Sequence, residues 1–345
     1  MLANLRRAAA TAALVLSVLA PASALADAPT NLTAEPLVIA PGFKGCGVAL
    51  QTSDGHSSSF NGMLNSAAQL AAWHWKPVGT PAGVNNPPAV PSSRVHVWRN
   101  DAGTPANQQY DQCQGMDTLV TRFYNRLSAL RTSWGMGPND KMDVVGISYG
   151  TVITRACIRN INGNTPNCAA WIDDWIGLAG PAHGTAVATD ANCAAGTLIL
   201  IPYSICTKLY PTADPANFIN RLNSVDETPG TGEFTTVWSA NDGIVEPGAG
   251  GAPSGPINGA ANWQVKADGP KFAGDPTPYS PISSDPTHAN AMSSSCPGWP
   301  DLAATPSFNE GSIGGIVEWA AYELLDIQPH GVGNGKILCT VGPPS

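Results

Sequence analysis

Two rhythms of apolar and polar positions run along the chain. "EPLVIAPG" (35–42) is a short apolar run stopped by Pro-Gly, the mark of a buried strand. "SRVHVWRN" (93–100) alternates apolar with polar and predicts a second strand. From Met116 the rhythm changes: apolar residues at 119, 120, 123, 124, 127 and 130 recur at helical spacing. "KMDVVGIS" (141–148) returns to a strand, and Val152, Ile153, Ala156 and Ile161 set a helix that stops at Asn162-Gly163. "DDWIGLAG" (173–180) and "EFTTVWSAND" (233–242) are further strands, and "NWQVKA" (262–267) is a weaker one. Ile313, Ile316, Val317, Ala320, Ala321 and Leu324 outline a last amphipathic helix. Strands alternating with helices predict an α/β fold with a mostly parallel sheet covered on both faces. Residues 183–232 and 243–290 fit neither rhythm, and loops of that length in a compact domain are usually functional or cap-like.

The first residues change the domain picture. Arg6 and Arg7 precede the apolar "AAATAALVLSVLA", and Ala24-Leu25-Ala26 follows as a small-residue cleavage site. Residues 1–26 therefore read as a signal peptide, and 27–345 as one catalytic domain in which 183–232 is a possible cap. No later run reaches the roughly 18 apolar residues of a membrane span, so a secreted protein is expected, extracellular or periplasmic. The formal net charge of −8 becomes more negative once both arginines are removed. With no basic run present, nucleic acid is not an expected partner.

All eight cysteines follow the signal segment, and an even count in an exported chain points to disulfides. There is no C-x-x-C pair and no Cys/His cluster with zinc spacing, so a metal site is not expected. Spacing suits local bridges 157–168 and 193–206, with 46–113 and 296–339 closing longer loops. Eight cysteines allow 105 pairings, and spacing alone does not decide among them.

The chemistry concentrates at Gly146-Ile147-Ser148-Tyr149-Gly150, at the junction of a predicted strand and a predicted helix. A G-x-S-x-G turn here would lift the Ser148 hydroxyl above the sheet edge, with helix N–H groups beneath a developing oxyanion. The same pattern also suits an ordinary tight turn. A serine nucleophile needs a base and an orienting acid, in the chain order Ser, Asp or Glu, His. His288, in "SSDPTHANAM", lies before the last predicted helix and is favoured over His330. His183 comes too early in that order and suits a loop contact, while His56, His74 and His96 suit surface or core-edge roles. Asp242 ends an apolar strand where active sites of open α/β sheets collect, with Glu246 its main competitor. The Gly-rich "IAPGFKGCG" (39–47) is the candidate second wall of an oxyanion hole, with the N–H groups of Phe43 and Tyr149 as donors.

These segments together resemble the class 2 lipases of the α/β-hydrolase superfamily. The resemblance rests on "VIAPGFKG", "VVGISYG", "AGPAHGT", "VWSANDGIVEP" and "PTHANAM", and runs with gaps over most of 35–340. The D-x-I-V-x-P core of the fourth segment is what ranks Asp242 above Glu246. Two features depart from common relatives: Pro41-Gly42 stands where many carry His-Gly, and Tyr149 stands where Gln or Met is frequent. The resemblance implies a monomeric, cofactor-free carboxylic ester hydrolase, with transient lipid-interface contact and a hydrophobic ester as substrate. Triacylglycerols lead the candidate substrates. An extracellular polyhydroxyalkanoate depolymerase is the alternative within the same chemistry, and a non-catalytic binding module of the same fold is the alternative outside it.

Overall fold

The computed structural model describes residues 35–43, 46, 94–100, 102–195, 201–238, 242, 244–245 and 254–264. His288, His330, Glu246, the predicted helix at 313–324 and the 296–339 cysteine pair lie outside the described residues.

Six strands form one sheet: β1 (Leu37–Ala40), β2 (Val95–Val97), β3 (Met142–Ile147), β4 (Ile172–Leu178), β5 (Glu233–Trp238) and β6 (Ala261–Gln264). Their order is β2-β1-β3-β4-β5-β6, and every neighbouring pair is parallel. All six predicted strands form, β4 and β6 beginning one residue before the predicted start. The central strands are buried along both faces, as β1 (LVIA) and β3 (MDVVGI) illustrate, which explains their near-continuous apolar runs.

Side chains alternate across the sheet. Val38, Ala40, Met142, Val144 and Trp175 join the main apolar cluster, together with α1 (Met116–Ser133) and α2 (Tyr149–Ile158). Ile39, Val145, Ile147, Ile176 and Leu178, pointing the other way, are also buried. The α1 helix buries Met116, Leu119, Val120, Phe123, Leu127 and Leu130 as its spacing predicts. Asp117 in its first turn and Arg131 in its last complement the helix dipole.

The unassigned stretch 183–232 contains short helices: α3 (Asp190–Ala194), α4 (Tyr203–Cys206) and α5 (Phe218–Leu222). No apolar period could announce elements of four or five residues, yet Ile205, Leu209, Phe218, Ile219 and Leu222 join the core. Disulfides Cys46–Cys113, Cys157–Cys168 and Cys193–Cys206 match three of the four pairings that spacing favoured.

Candidate active site

From β1 the chain passes outward to β2, then returns to lay β3 on the other side of β1. The loops that follow β1 and β3 therefore diverge from adjacent strands at the C-terminal edge. Crevices at such switch points are where open α/β sheets bind ligands. The described start of the β1 loop is Pro41–Phe43, and the β3 loop is a single residue, Ser148.

Ser148 adopts φ 51°, ψ −118°, a left-handed conformation that a non-glycine residue rarely holds. Its neighbours hold it there. The Ser148 N–H donates to the Leu178 carbonyl (2.8 Å), and its own carbonyl accepts from Thr151 N–H (3.0 Å). The flanking glycines are required by contact. A Cβ on Gly146 would lie 2.6 Å from the Thr151 Cα, and one on Gly150 would lie 2.2 Å from the Ala40 carbonyl oxygen. Gly42 leans against the turn from the other side: a Cβ there would meet Ser148 Cβ at 3.1 Å and its Oγ at 3.6 Å. The α2 helix begins at the next residue, so its unsatisfied N–H groups and positive dipole end lie beside Ser148.

Tyr149 is buried, and its ring meets Phe43 edge to face, centroids 5.8 Å apart. The Tyr149 hydroxyl is buried without a hydrogen-bond partner among the described residues, and burial pushes its pKa well above the ordinary tyrosine value. Below the loop, the Tyr110 hydroxyl donates to the Pro41 carbonyl (2.8 Å) and Gln112 Nε2 to the Gly42 carbonyl (2.9 Å).

Asp242 follows β5 at the same edge of the sheet and is 3% exposed. Its Oδ1 accepts from the N–H groups of Ile244 (2.9 Å) and Val245 (2.8 Å), which fixes the carboxylate against the turn. The Ile244 carbonyl in turn accepts from Thr185 Oγ1 (2.7 Å), tying the acid's turn to the loop after β4.

His96, Asp226 and His183 are engaged elsewhere. His96 Nε2 accepts from Arg126 Nε (3.0 Å), and Asp226 caps its own loop through Thr228 N–H (3.0 Å). His183 Nε2 donates to Glu227 Oε1 at 3.0 Å, the loop contact expected of it. Glu227 is buried, 3.7 Å from the fully buried Arg155 of α2. Arg155 also reaches the Ala182 carbonyl (3.1 Å) and Asn223 Oδ1 (2.8 Å). A lone Arg in the helix after Ser148 was the available signal for a buried acid partner, but chain position could not pair the two.

Among the described residues no three His, Cys, Asp or Glu side chains gather as a metal site would require. A polar hollow of about 450 Å³, bordered by Glu35, Arg94, Asp140, Lys141 and Asp173, opens at the opposite, N-terminal end of the strands. Its Lys141 and Asp173 already form an ion pair (2.9 Å).

The parallel sheet with its reversal beside β1, and the left-handed Ser between β3 and α2, define an α/β-hydrolase. The family model of the class 2 lipases matches residues 98–270. The chain belongs to that family and is a carboxylic ester hydrolase. Among solved structures it is similar to mature lipase BlEst2 of Bacillus licheniformis (12% identity, TM-score 0.38, 61% of this chain, 68% of that one). It is also similar to Aspergillus fumigatus lipase B (13%, 0.38, 64% and 41%) and Legionella pneumophila phospholipase PlaB (15%, 0.38, 59% and 39%). The chain thus spans well under half the length of those last two proteins. No curated protein matches it in sequence.

Proposed function

We propose that the protein is a secreted serine hydrolase acting on hydrophobic esters such as triacylglycerols, with Ser148 as nucleophile, His288 as base and Asp242 as orienting acid. The observation that carries this reading is the left-handed Ser148 turn, wedged between β3 and α2 with Gly42 against it. Such a conformation stores strain of order 1–3 kcal/mol, which an ordinary turn would relieve by carrying Gly.

Ser148 Oγ attacks the ester carbonyl carbon while His288 takes the hydroxyl proton. The carbonyl π pair moves to oxygen, and the oxyanion is held by the N–H groups of Phe43 and Tyr149, each worth about 3 kcal/mol. Collapse breaks the bond to the alkoxide, which leaves as the alcohol with the proton from His288. Water then adds to the acyl-enzyme by the same steps in reverse, releasing the acid and restoring Ser148. Asp242, already fixed by two backbone N–H groups, holds the imidazole tautomer and stabilises its cation. Residues 183–232 act as a cap over the acyl site. Three disulfides fit an oxidising compartment, in line with export.

The test compares wild type with Ser148→Ala on nitrophenyl esters of rising chain length, triolein emulsion and a polyester film. Wild type should react with a fluorophosphonate and cleave the esters and triolein, and Ser148→Ala should lose at least about 10⁴-fold in kcat. Retention of activity in Ser148→Ala would remove the nucleophile assignment. Clearing of film without action on triolein would make the protein a polyester depolymerase, and wild-type inertness toward every substrate and the probe would make it a binding module.

A further inference from the structure

We propose that residues 110–113 form a clamp that aims the oxyanion loop, with Gln112 as its positioning residue; this rests on the reading of Phe43 N–H as an oxyanion donor. Three ties join the segment to the loop in register. Tyr110 hydroxyl donates to Pro41 carbonyl (2.8 Å), Gln112 Nε2 donates to Gly42 carbonyl (2.9 Å), and Cys113 is disulfide-bonded to Cys46. The first two span 69 and 70 positions of sequence, so neither is a local turn contact.

The geometry of the peptide bond turns these ties into an orientation. In a trans peptide the carbonyl oxygen and the following N–H point in opposite directions. The bond between Gly42 and Phe43 is trans, as the one cis peptide among the described residues is Thr165-Pro166. Holding the Gly42 oxygen on Gln112 therefore turns the Phe43 N–H to the opposite side of that plane. Holding the Pro41 oxygen on Tyr110 does the same for the Gly42 N–H one residue earlier. A loop of Pro-Gly-Phe has little of its own to fix those planes, because Gly42 carries no side chain and has the widest choice of backbone conformations.

The clamp is itself anchored. Gln112 is 3% exposed, and the Tyr110 ring, 1% exposed, stacks on Trp98 with centroids 4.4 Å apart. Trp98 follows β2, gives its backbone N–H to the Ile39 carbonyl of β1 (2.8 Å), and packs on Phe123 of α1. The loop's aim is thus referred to the strand from which it springs. Two buried donors spent on two loop carbonyls, beside Ser148, are more than packing requires: an apolar pair would fill the space but leave those carbonyls unsatisfied.

The experiment uses Gln112→Met, which keeps the length and removes the donor, with Tyr110→Phe, which keeps the ring on Trp98 and removes the hydroxyl. Each is assayed on a nitrophenyl ester and with an aliphatic trifluoromethyl ketone, whose adduct with Ser148 carries the oxyanion. The expected result for Gln112→Met is a fall in kcat of about 10- to 100-fold with KM within about twofold. Inhibition by the ketone should weaken by a similar factor, since a group that aims a donor acts on the transition state and not on ester binding. A folded Gln112→Met with kcat within about twofold of wild type overturns the proposal, as does a fall in kcat that leaves ketone inhibition unchanged. Should Gln112→Met fail to fold, Tyr110→Phe decides by the same two readouts. Ser148→Ala, run alongside, separates the two failures: its inactivity beside a fully active Gln112→Met removes only the clamp, whereas its retained activity removes the underlying reading.

Discussion

Ser148 cannot relax into an ordinary turn because the residues on either side have no room to follow it. Gly150 shows this most directly. It lies in the first turn of α2 with its Cα pressed onto the end of β1, where an added methyl would sit 2.2 Å from the Ala40 oxygen and 2.6 Å from that of Pro41. Both neighbours are backbone, so no rotamer change can give way. Gly150→Ala is therefore expected to cost about 3 kcal/mol in urea unfolding, although alanine normally favours a helix by nearly 1 kcal/mol over glycine. A variant as stable as wild type would mean that α2 can shift off β1, and that the turn is not held by this contact. The two glycines were legible as a motif. That Gly42 is the third member of the same packing cluster was not, because it comes from a loop more than 100 residues earlier.

At the scale of elements, the apolar rhythm announced every strand and both long helices among the described residues, since the helices and central strands present apolar side chains to the core. It was silent where polar groups are buried in pairs. Arg155, Glu227 and His183 come from α2 and from the loops before β5 and after β4, and their partnership depends on tertiary placement alone. Burial by itself would raise the Glu227 carboxyl. The hydrogen bond from His183, the N–H of Asn258 at 2.6 Å and the charges of His183 and Arg155 outweigh it, holding the pKa below the ordinary glutamate value. Arg159 adds to the same positive surroundings. A carboxyl whose folded pKa is depressed contributes stability above its unfolded pKa of about 4.3, and that contribution is lost as pH falls through the folded value. Glu227→Gln should therefore be less stable than wild type at pH 7, by about 3 kcal/mol, because Arg155 keeps its burial and loses its counter-charge. Between pH 5 and pH 3 the gap should narrow, as wild type loses what the variant never had. Urea midpoints at pH 7, 5, 4 and 3 measure this, and a gap that stays constant over the series would contradict the linkage.

For the whole molecule, the three disulfides among the described residues divide by access. Cys157, Cys168, Cys193 and Cys206 are at most 4% exposed, whereas Cys113 is exposed and Cys46 half-buried. Exchange requires a thiolate to reach a sulfur, so access ranks the bridges before any difference in bond strength does. The accessible bridge also joins residues farthest apart in sequence, separated by 67 positions against 11 and 13. By loop entropy its loss should cost about 1.5 kcal/mol more than that of either short bridge. Mild reduction of the folded protein, followed by alkylation and peptide mass mapping, should thus label Cys46 and Cys113 first. Cys157, Cys168, Cys193 and Cys206 should need denaturant or long exposure. Because Cys46–Cys113 is the covalent tie of the 110–113 segment to the loop beside Ser148, ester turnover should fall in step with the first labelling. Equal labelling of these six cysteines would show that the fold opens as one unit before any bridge is reached. Selective labelling with unchanged turnover would show that Tyr110 and Gln112 hold the loop without the disulfide, and that the bridge serves stability alone.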